Sequence, residues 1–238
     1  MAVVAPVVSE ALEERVFLVG SLGSPDRTDV VAEIGGKLIA LDFSEGEQVK
    51  AGAVLVRVDD AKTQARLAEG AARLQLASDE HRRMVQLLDS EVATQAEADV
   101  AVANLRTSEA NVLVLKEELA DATVEAPFDG VVATRHVSTG QFVSAGQVIA
   151  TLVRMDPLDL AFDLPERYIG QMAVGRVVRF TTPAWKEETF EGKVTYLSPS
   201  LNENTRTLRV KASLPNSDHR LRPGMFGNVQ LVLGVREA

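Results

Sequence analysis

Apolar and polar positions alternate with a period of two in four short runs, KLIALDF (37–43), AVLVRVD (53–59), VVATRHV (131–137) and QVIATLV (147–153). Alternation of this kind turns every second side chain to one face and predicts half-buried β-strands. The four runs belong to one unit written twice. SEGEQVKAGAVLVRV (44–58) returns as STGQFVSAGQVIATL (138–152), and without a gap Ala32, Gly36, Gly46, Val49, Gly52 and Val54 match Ala126, Gly130, Gly140, Val143, Gly146 and Val148. Glycines recur where a chain needs positive φ or where backbones approach closely, and turns are predicted at Glu45-Gly46 and Ala51-Gly52. Each copy is a hairpin-like half with an exposed apolar face, so two halves packed together bury it.

Between the copies the period changes. Leu67, Gly70, Leu74, Ala77, His81, Met84 and Leu88 follow alternating steps of three and four, and so do Ala98, Ala101, Leu105, Ser108, Val112, Leu115, Leu119 and Ala122. This is the seam of a coiled coil. Neither stretch contains Pro, and both are rich in Ala, Leu, Glu, Gln and Arg, which lose little entropy in a helix. The break Asp89-Ser90-Glu91-Val92-Ala93 is short enough to force an antiparallel hairpin. Thr94-Gln95-Ala96-Glu97 reads as a capping box that starts the second helix. At about 1.5 Å per residue each arm reaches roughly 40 Å. A two-helix rod buries one seam only, which points to a docking partner, a mere spacer being the alternative.

Downstream of the second copy, several short strands are separated by breaks at Pro165, Pro183, Pro199, Pro215 and Pro223, a pattern expected of a small β-barrel. LDLAFDLPERYIGQMAVGRVVRF reads as a strand, a helical turn and a second strand, and Arg222-Pro223-Gly224-Met225 as a turn suited to Pro at its second position and Gly at its third.

Composition removes several function classes. The 238 residues are 46% hydrophobic, enough for a real core, and the formal charge of −9 provides no basic stripe for nucleic acid. There is no Cys, and the three His residues, His81, His136 and His219, stand apart from one another. No metal-ligand cluster, nucleophile elbow or P-loop is present; Gly35-Gly36-Lys37 lacks the upstream Gly at the required spacing. An enzyme is therefore not expected, nor a cofactor or metal, and no Met or His cluster suggests export of metal ions. No run of about 18 apolar residues spans a bilayer, and MAVVAPVVSE lacks the features of a signal peptide.

The repeated glycine and valine pattern resembles the two half-motifs of a biotinyl/lipoyl domain, a flattened β-sandwich with quasi-two-fold symmetry. In carriers of that family a modified Lys lies at the turn between the halves. Here the nearest candidate, Asp60-Ala61-Lys62, opens a helical segment, where a solvated first-turn Lys is the plainer reading.

A lipoyl motif split by a helical hairpin resembles the periplasmic adaptors, or membrane fusion proteins, of tripartite efflux pumps. Adaptors that engage TolC-like channels carry an Arg, a Leu and a Ser flanking the hairpin turn; RMVQLLDSEVAT offers Arg83 and Leu87 at that spacing, with Thr94 in place of the Ser. Arg83 can donate to carbonyls or carboxylates of a partner and Leu87 can act as an apolar knob. From the residues alone, a solvated charge, hairpin packing and a plain cap remain open. TRTLRVKASLPNSDHRLRPGMFGNVQL resembles the segment that closes the adaptor barrel, with ERVFLVGSL (14–22) as its N-terminal strand.

The resemblance implies an elongated multidomain α+β chain: a β-barrel from 14–28 and 156–233, a split lipoyl-like sandwich from 29–60 and 122–155, and a coiled-coil hairpin at 61–121. Residues 1–13 would be a remnant of a membrane-proximal domain that is otherwise largely missing, and 234–238 a truncated tail. It further implies a periplasmic subunit, anchored to the inner membrane through a segment outside this sequence. Its partners would be an inner-membrane transporter of the resistance-nodulation-division (RND) type, a TolC-like outer-membrane channel, and other copies of itself in a ring, hexameric in the assembled pump, for export of drugs or other small molecules. The alternatives are an adaptor of an ABC exporter or type I secretion system, or a lipoyl/biotinyl carrier modified at Lys62.

Overall fold

The computed structural model describes residues 11–237. In chain order the elements are β1 (Ala11–Gly23), β2 (Arg27–Val31), β3 (Gly36–Leu41), β4 (Gln48–Val49) and β5 (Val54–Val58), then α1 (Ala61–Asp89) and α2 (Gln95–Ala120). These are followed by β6 (Thr123–Glu125), β7 (Gly130–Arg135), β8 (Phe142–Val143), β9 (Val148–Val153), β10 (Leu158–Pro165), β11 (Val177–Thr182), β12 (Trp185–Asn202), β13 (Thr207–Leu214) and β14 (Phe226–Glu237). Two compact units result, one from the chain up to Arg27 and from Val153 onward, the other from Thr28–Leu152.

In the Thr28–Leu152 unit the internal repeat becomes a sandwich of two sheets, β2-β9-β7-β4 and β6-β5-β3-β8. The shift that carries Gly46 onto Gly140 also carries β2 to β6, β3 to β7, β4 to β8 and β5 to β9. Each sheet is therefore the same sheet built twice, and each draws strands from both copies. The hydrogen bonds obey the same relation. Gly52 N–H donates to Ala126 C=O as Gly146 N–H donates to Ala32 C=O, both at 2.8 Å, and Gly46 donates to Val132 as Gly140 donates to Leu38. Gly52 and Gly146 hold φ of 76° and 80° at their turns, a region L side chains avoid. Gly36 serves differently, since a Cβ there would collide with the Val58 side chain, while Gly130 is buried opposite Val49. Leu38, Leu55, Ile149 and Leu152 are fully buried between the sheets, and each such side chain contributes about 1.5–3 kcal/mol on leaving water.

The helical hairpin grows out of this sandwich. β5 and β6 pair antiparallel, and the helices stand where a β-turn would otherwise join them. Val58 N–H still donates to Ala122 C=O at 2.8 Å, and Ala122 is buried. Early α1 meets late α2, as the Arg66–Glu118 ion pair at 3.3 Å requires of antiparallel helices. Every position of both expected seams is buried or half-buried. Lys62 lies exposed in the first turn of α1.

The other unit is a closed six-stranded barrel in the order β1-β10-β13-β12-β11-β14. Leu158, Leu160, Phe162 and Leu164 alternate into its core from β10, meeting Phe180, Leu214 and Leu231. As expected, an N-terminal strand completes the barrel, β1 pairing with both β10 and β14. Arg222–Met225 forms its turn with Gly224 at φ 91° and Met225 N–H donating to Arg222 C=O. Two features differ from the sequence reading. Pro199 does not end a strand: β12 runs through it, at an irregular register between Leu197 and Leu201, and proline is accommodated where the ladder is already interrupted. Ala11–Glu13 and Gly234–Glu237, expected as a remnant and a tail, continue β1 and β14, with Ala11 opposite Glu237; residues 1–10 lie outside the described residues.

The hairpin tip as candidate functional site

At the far end of α1 the backbone closes in a Schellman arrangement. Val92 N–H donates to Leu87 C=O at 2.9 Å and Glu91 N–H to Leu88 C=O at 2.9 Å, which satisfies carbonyls that a helix end leaves without partners. The residue in the left-handed position is Glu91, at φ 59°, where glycine is usual. Ser90 adds its hydroxyl, donating to Gln86 C=O at 2.8 Å.

The start of α2 is fixed by Thr94. Its backbone N–H and its hydroxyl both donate to Glu97 Oε2 at 2.8 Å, and Glu97 N–H returns to Thr94 Oγ1 at 3.4 Å. These hydrogen bonds, first from the Thr94 backbone and then from its hydroxyl, hold the Glu97 carboxyl below the usual carboxylate range. The Thr94 hydroxyl is thus engaged within the cap.

Arg83 and Leu87 lie four residues apart on one side of α1, off the seam occupied by Met84 and Leu88. Arg83 is exposed and pairs with Glu80 only at 4.0 Å. Leu87 is 37% exposed and Val92, one step beyond the turn, 72%. The tip therefore combines an accessible guanidinium with two apolar side chains on a backbone whose ends are capped on both sides. Sequence reasoning overlooked Val92 and the left-handed Glu91, because a five-residue break carries no period by which to read either.

At the root of the hairpin, a hydrogen bond that the protonated Glu33 carboxyl donates to the Asp121 carboxylate, burial and the Asp121 charge, in that order, push the Glu33 carboxyl up. Among the described residues no group of His, Asp and Glu could hold a metal ion, and no helix is long and apolar enough to cross a membrane.

Two family models match the chain. The RND membrane fusion protein barrel-sandwich hybrid domain covers residues 26–155, and the CusB-like β-barrel domain covers residues 159–234. The multidrug resistance protein MdtA of Escherichia coli (strain K12) is 28% identical over 98% of this chain, and that of Proteus mirabilis 27% identical over 98%. The chain spans 61% and 62% of the length of these two relatives. Among solved structures, a MacA-MexA chimera containing the Pseudomonas aeruginosa MexA α-hairpin domain superposes with a TM-score of 0.81 at 23% identity, covering 97% of this chain and 85% of that one. The membrane fusion protein Spr0693 of Streptococcus pneumoniae R6 superposes with a TM-score of 0.71 at 21% identity, covering 94% and 99%. A split sandwich with an inserted hairpin, a closed barrel and a family match over more than half the residues agree, and the chain belongs to the RND membrane fusion proteins.

Proposed function

We propose that this chain belongs to a periplasmic adaptor subunit of a tripartite efflux pump, joining an RND-type inner-membrane transporter to a TolC-like outer-membrane channel for export of drugs or other small molecules. The adaptor carries out no chemistry. Its work is assembly, with several copies arranged as a ring, a hexamer in the complete pump, and the full-length protein held at the inner membrane. The supporting observation is the tip, where Arg83 and Leu87 face outward from the seam on a capped turn. Arg83 would donate to carbonyl or carboxylate oxygens of a channel helix, Leu87 would supply the apolar contact, and Thr94 would fix the turn that presents both.

The test is Arg83→Asp combined with Leu87→Ser in the full-length protein, in cells whose drug resistance depends on it. The variant should accumulate to normal levels and lose resistance. Unchanged resistance at normal levels would overturn the tip assignment.

A further inference from the structure

The Schellman turn that ends α1 relates two apolar residues. In this motif the residue after the left-handed corner, here Val92, commonly packs against the one whose carbonyl it holds, here Leu87. The backbone half of the motif is complete, since Leu87 C=O accepts from Val92 N–H at 2.9 Å and from Ala93 N–H at 3.2 Å. The apolar half stays open to water: Val92 is 72% exposed and Leu87 37%.

Within the turn, Val92 differs from its neighbours. Ser90 gives its hydroxyl to Gln86 C=O, Glu91 takes the left-handed corner, Ala93 is half-buried and Thr94 caps α2. What Val92 contributes to the turn is its backbone N–H, which every residue but proline supplies. The fold therefore asks little of a branched apolar side chain left mostly in water. A single exposed valine is ordinary on a protein surface. This one adjoins Leu87 in the motif, and exposed Arg83 lies one turn back on the same side of α1 as Leu87. An arginine beside a small apolar cluster is the composition of an interface hot spot.

We propose that Leu87 and Val92 form a single apolar knob, and that Val92 is a further contact residue for the outer-membrane channel, the size of its side chain setting which channels the tip accepts. The inference rests on the adaptor reading and adds a residue to it. The complementary surface is an apolar notch between helix ends, rimmed by carbonyl or carboxylate oxygens for Arg83. A membrane surface fits poorly, because two side chains bury little apolar area and the exposed Asp89 and Glu91 beside them repel anionic headgroups.

The full-length protein is expressed with Val92→Ile, Val92→Ala or Val92→Ser in cells whose drug resistance depends on it, and the epitope-tagged TolC-like channel of those cells is recovered with it from detergent extracts. Recovery and resistance should fall in the order Ile, Ala, Ser. Val92→Ala should recover about tenfold less channel, the effect of losing two methyl groups from a buried contact. Benzoylphenylalanine replacing Val92 should cross-link to the tagged channel on illumination, and the same group replacing Gln75, exposed midway along α1, should not. The inference is overturned if Val92→Ser keeps full resistance and channel recovery at normal levels, or if position 92 cross-links only to another copy of this chain or to nothing. A lower unfolding temperature of purified Val92→Ser would also overturn it, by making Val92 a residue of the fold. If Val92→Ser is silent while Arg83→Asp with Leu87→Ser loses resistance, Val92 is removed and the adaptor reading stands; if both are silent, the tip assignment fails with it.

Discussion

Gly70 of α1 lies so close to Leu115 of α2 that a Cβ on the glycine would stand 2.9 Å from a Leu115 methyl carbon. Glycine within a helix costs about 1 kcal/mol relative to alanine, and at this seam position the cost is offset by the approach of the two helices. A large side chain would push them apart. Gly70→Leu should destabilise the hairpin by about 1–3 kcal/mol, and Leu115→Ala in the same chain should recover part of the loss. Thermal unfolding followed by circular dichroism gives the double-mutant cycle, and strictly additive losses would contradict the packing described.

The left-handed conformation of Glu91 allows a change in the opposite direction. An L side chain there costs about 1–2 kcal/mol that glycine does not incur, partly offset by the greater freedom of glycine in the unfolded chain. Glu91→Gly should therefore stabilise the hairpin by about 0.5–1 kcal/mol. A lower unfolding temperature in Glu91→Gly would mean that the glutamate side chain supports the turn.

Two carboxylates, Glu97 at the start of α2 and Glu33 between β2 and β3, respond to pH with opposite signs. Glu97, depressed by the Thr94 hydrogen bonds, contributes stability above its unfolded pKa and loses it as pH falls through its lower folded pKa. Glu33, raised by its bond to Asp121, contributes below its unfolded pKa and loses this as pH rises through the folded value. Glu97→Gln should lower the unfolding temperature at neutral pH, with the difference vanishing below the carboxylate range. Glu33→Gln should raise it at neutral pH, where the Asp121 repulsion is then removed. Melting curves at acidic and neutral pH check both, and a pH-independent difference for either variant would contradict its assignment.

What the sequence disclosed depended on whether a feature repeats. Fifteen seam positions from Leu67 to Ala122 fell on the packed side because helical geometry imposes the spacing of three and four on every turn. The paired glycines disclosed the sandwich for the same reason, each turn being written twice. Two-residue strands such as β4 and β8 contain no full period and went unread. Pro199 misled, because the irregular pairing that accommodates it is a property of the neighbouring strand. At the tip, sequence could place Arg83 and Leu87 beside the turn but could not separate Leu87 from the seam one residue away. The pairing of Glu33 with Asp121 joins positions far apart in the chain and leaves no local trace.

The barrel has its own sensitive point in Asn216, which is buried and placed just after β13. Its amide nitrogen donates to Met155 C=O at 2.8 Å and Leu221 C=O at 3.0 Å, and its carbonyl oxygen accepts from Leu221 N–H at 2.9 Å. One side chain thus ties the segment preceding β10 to the loop before β14. Asn216→Ala would leave a buried N–H and two carbonyls without these partners, at about 1–3 kcal/mol for each group left unsatisfied. Asn216→Asp keeps the shape but sets carboxylate oxygens against two carbonyls, so it should destabilise at least as much at neutral pH and recover in acid, where the protonated form can donate one of the two bonds. Chemical denaturation at two pH values distinguishes the variants: equal stability of Asn216→Ala and wild type would show that the amide does not hold these loops together, and an Asn216→Asp deficit unchanged in acid would show that donation to the carbonyls is not its cause.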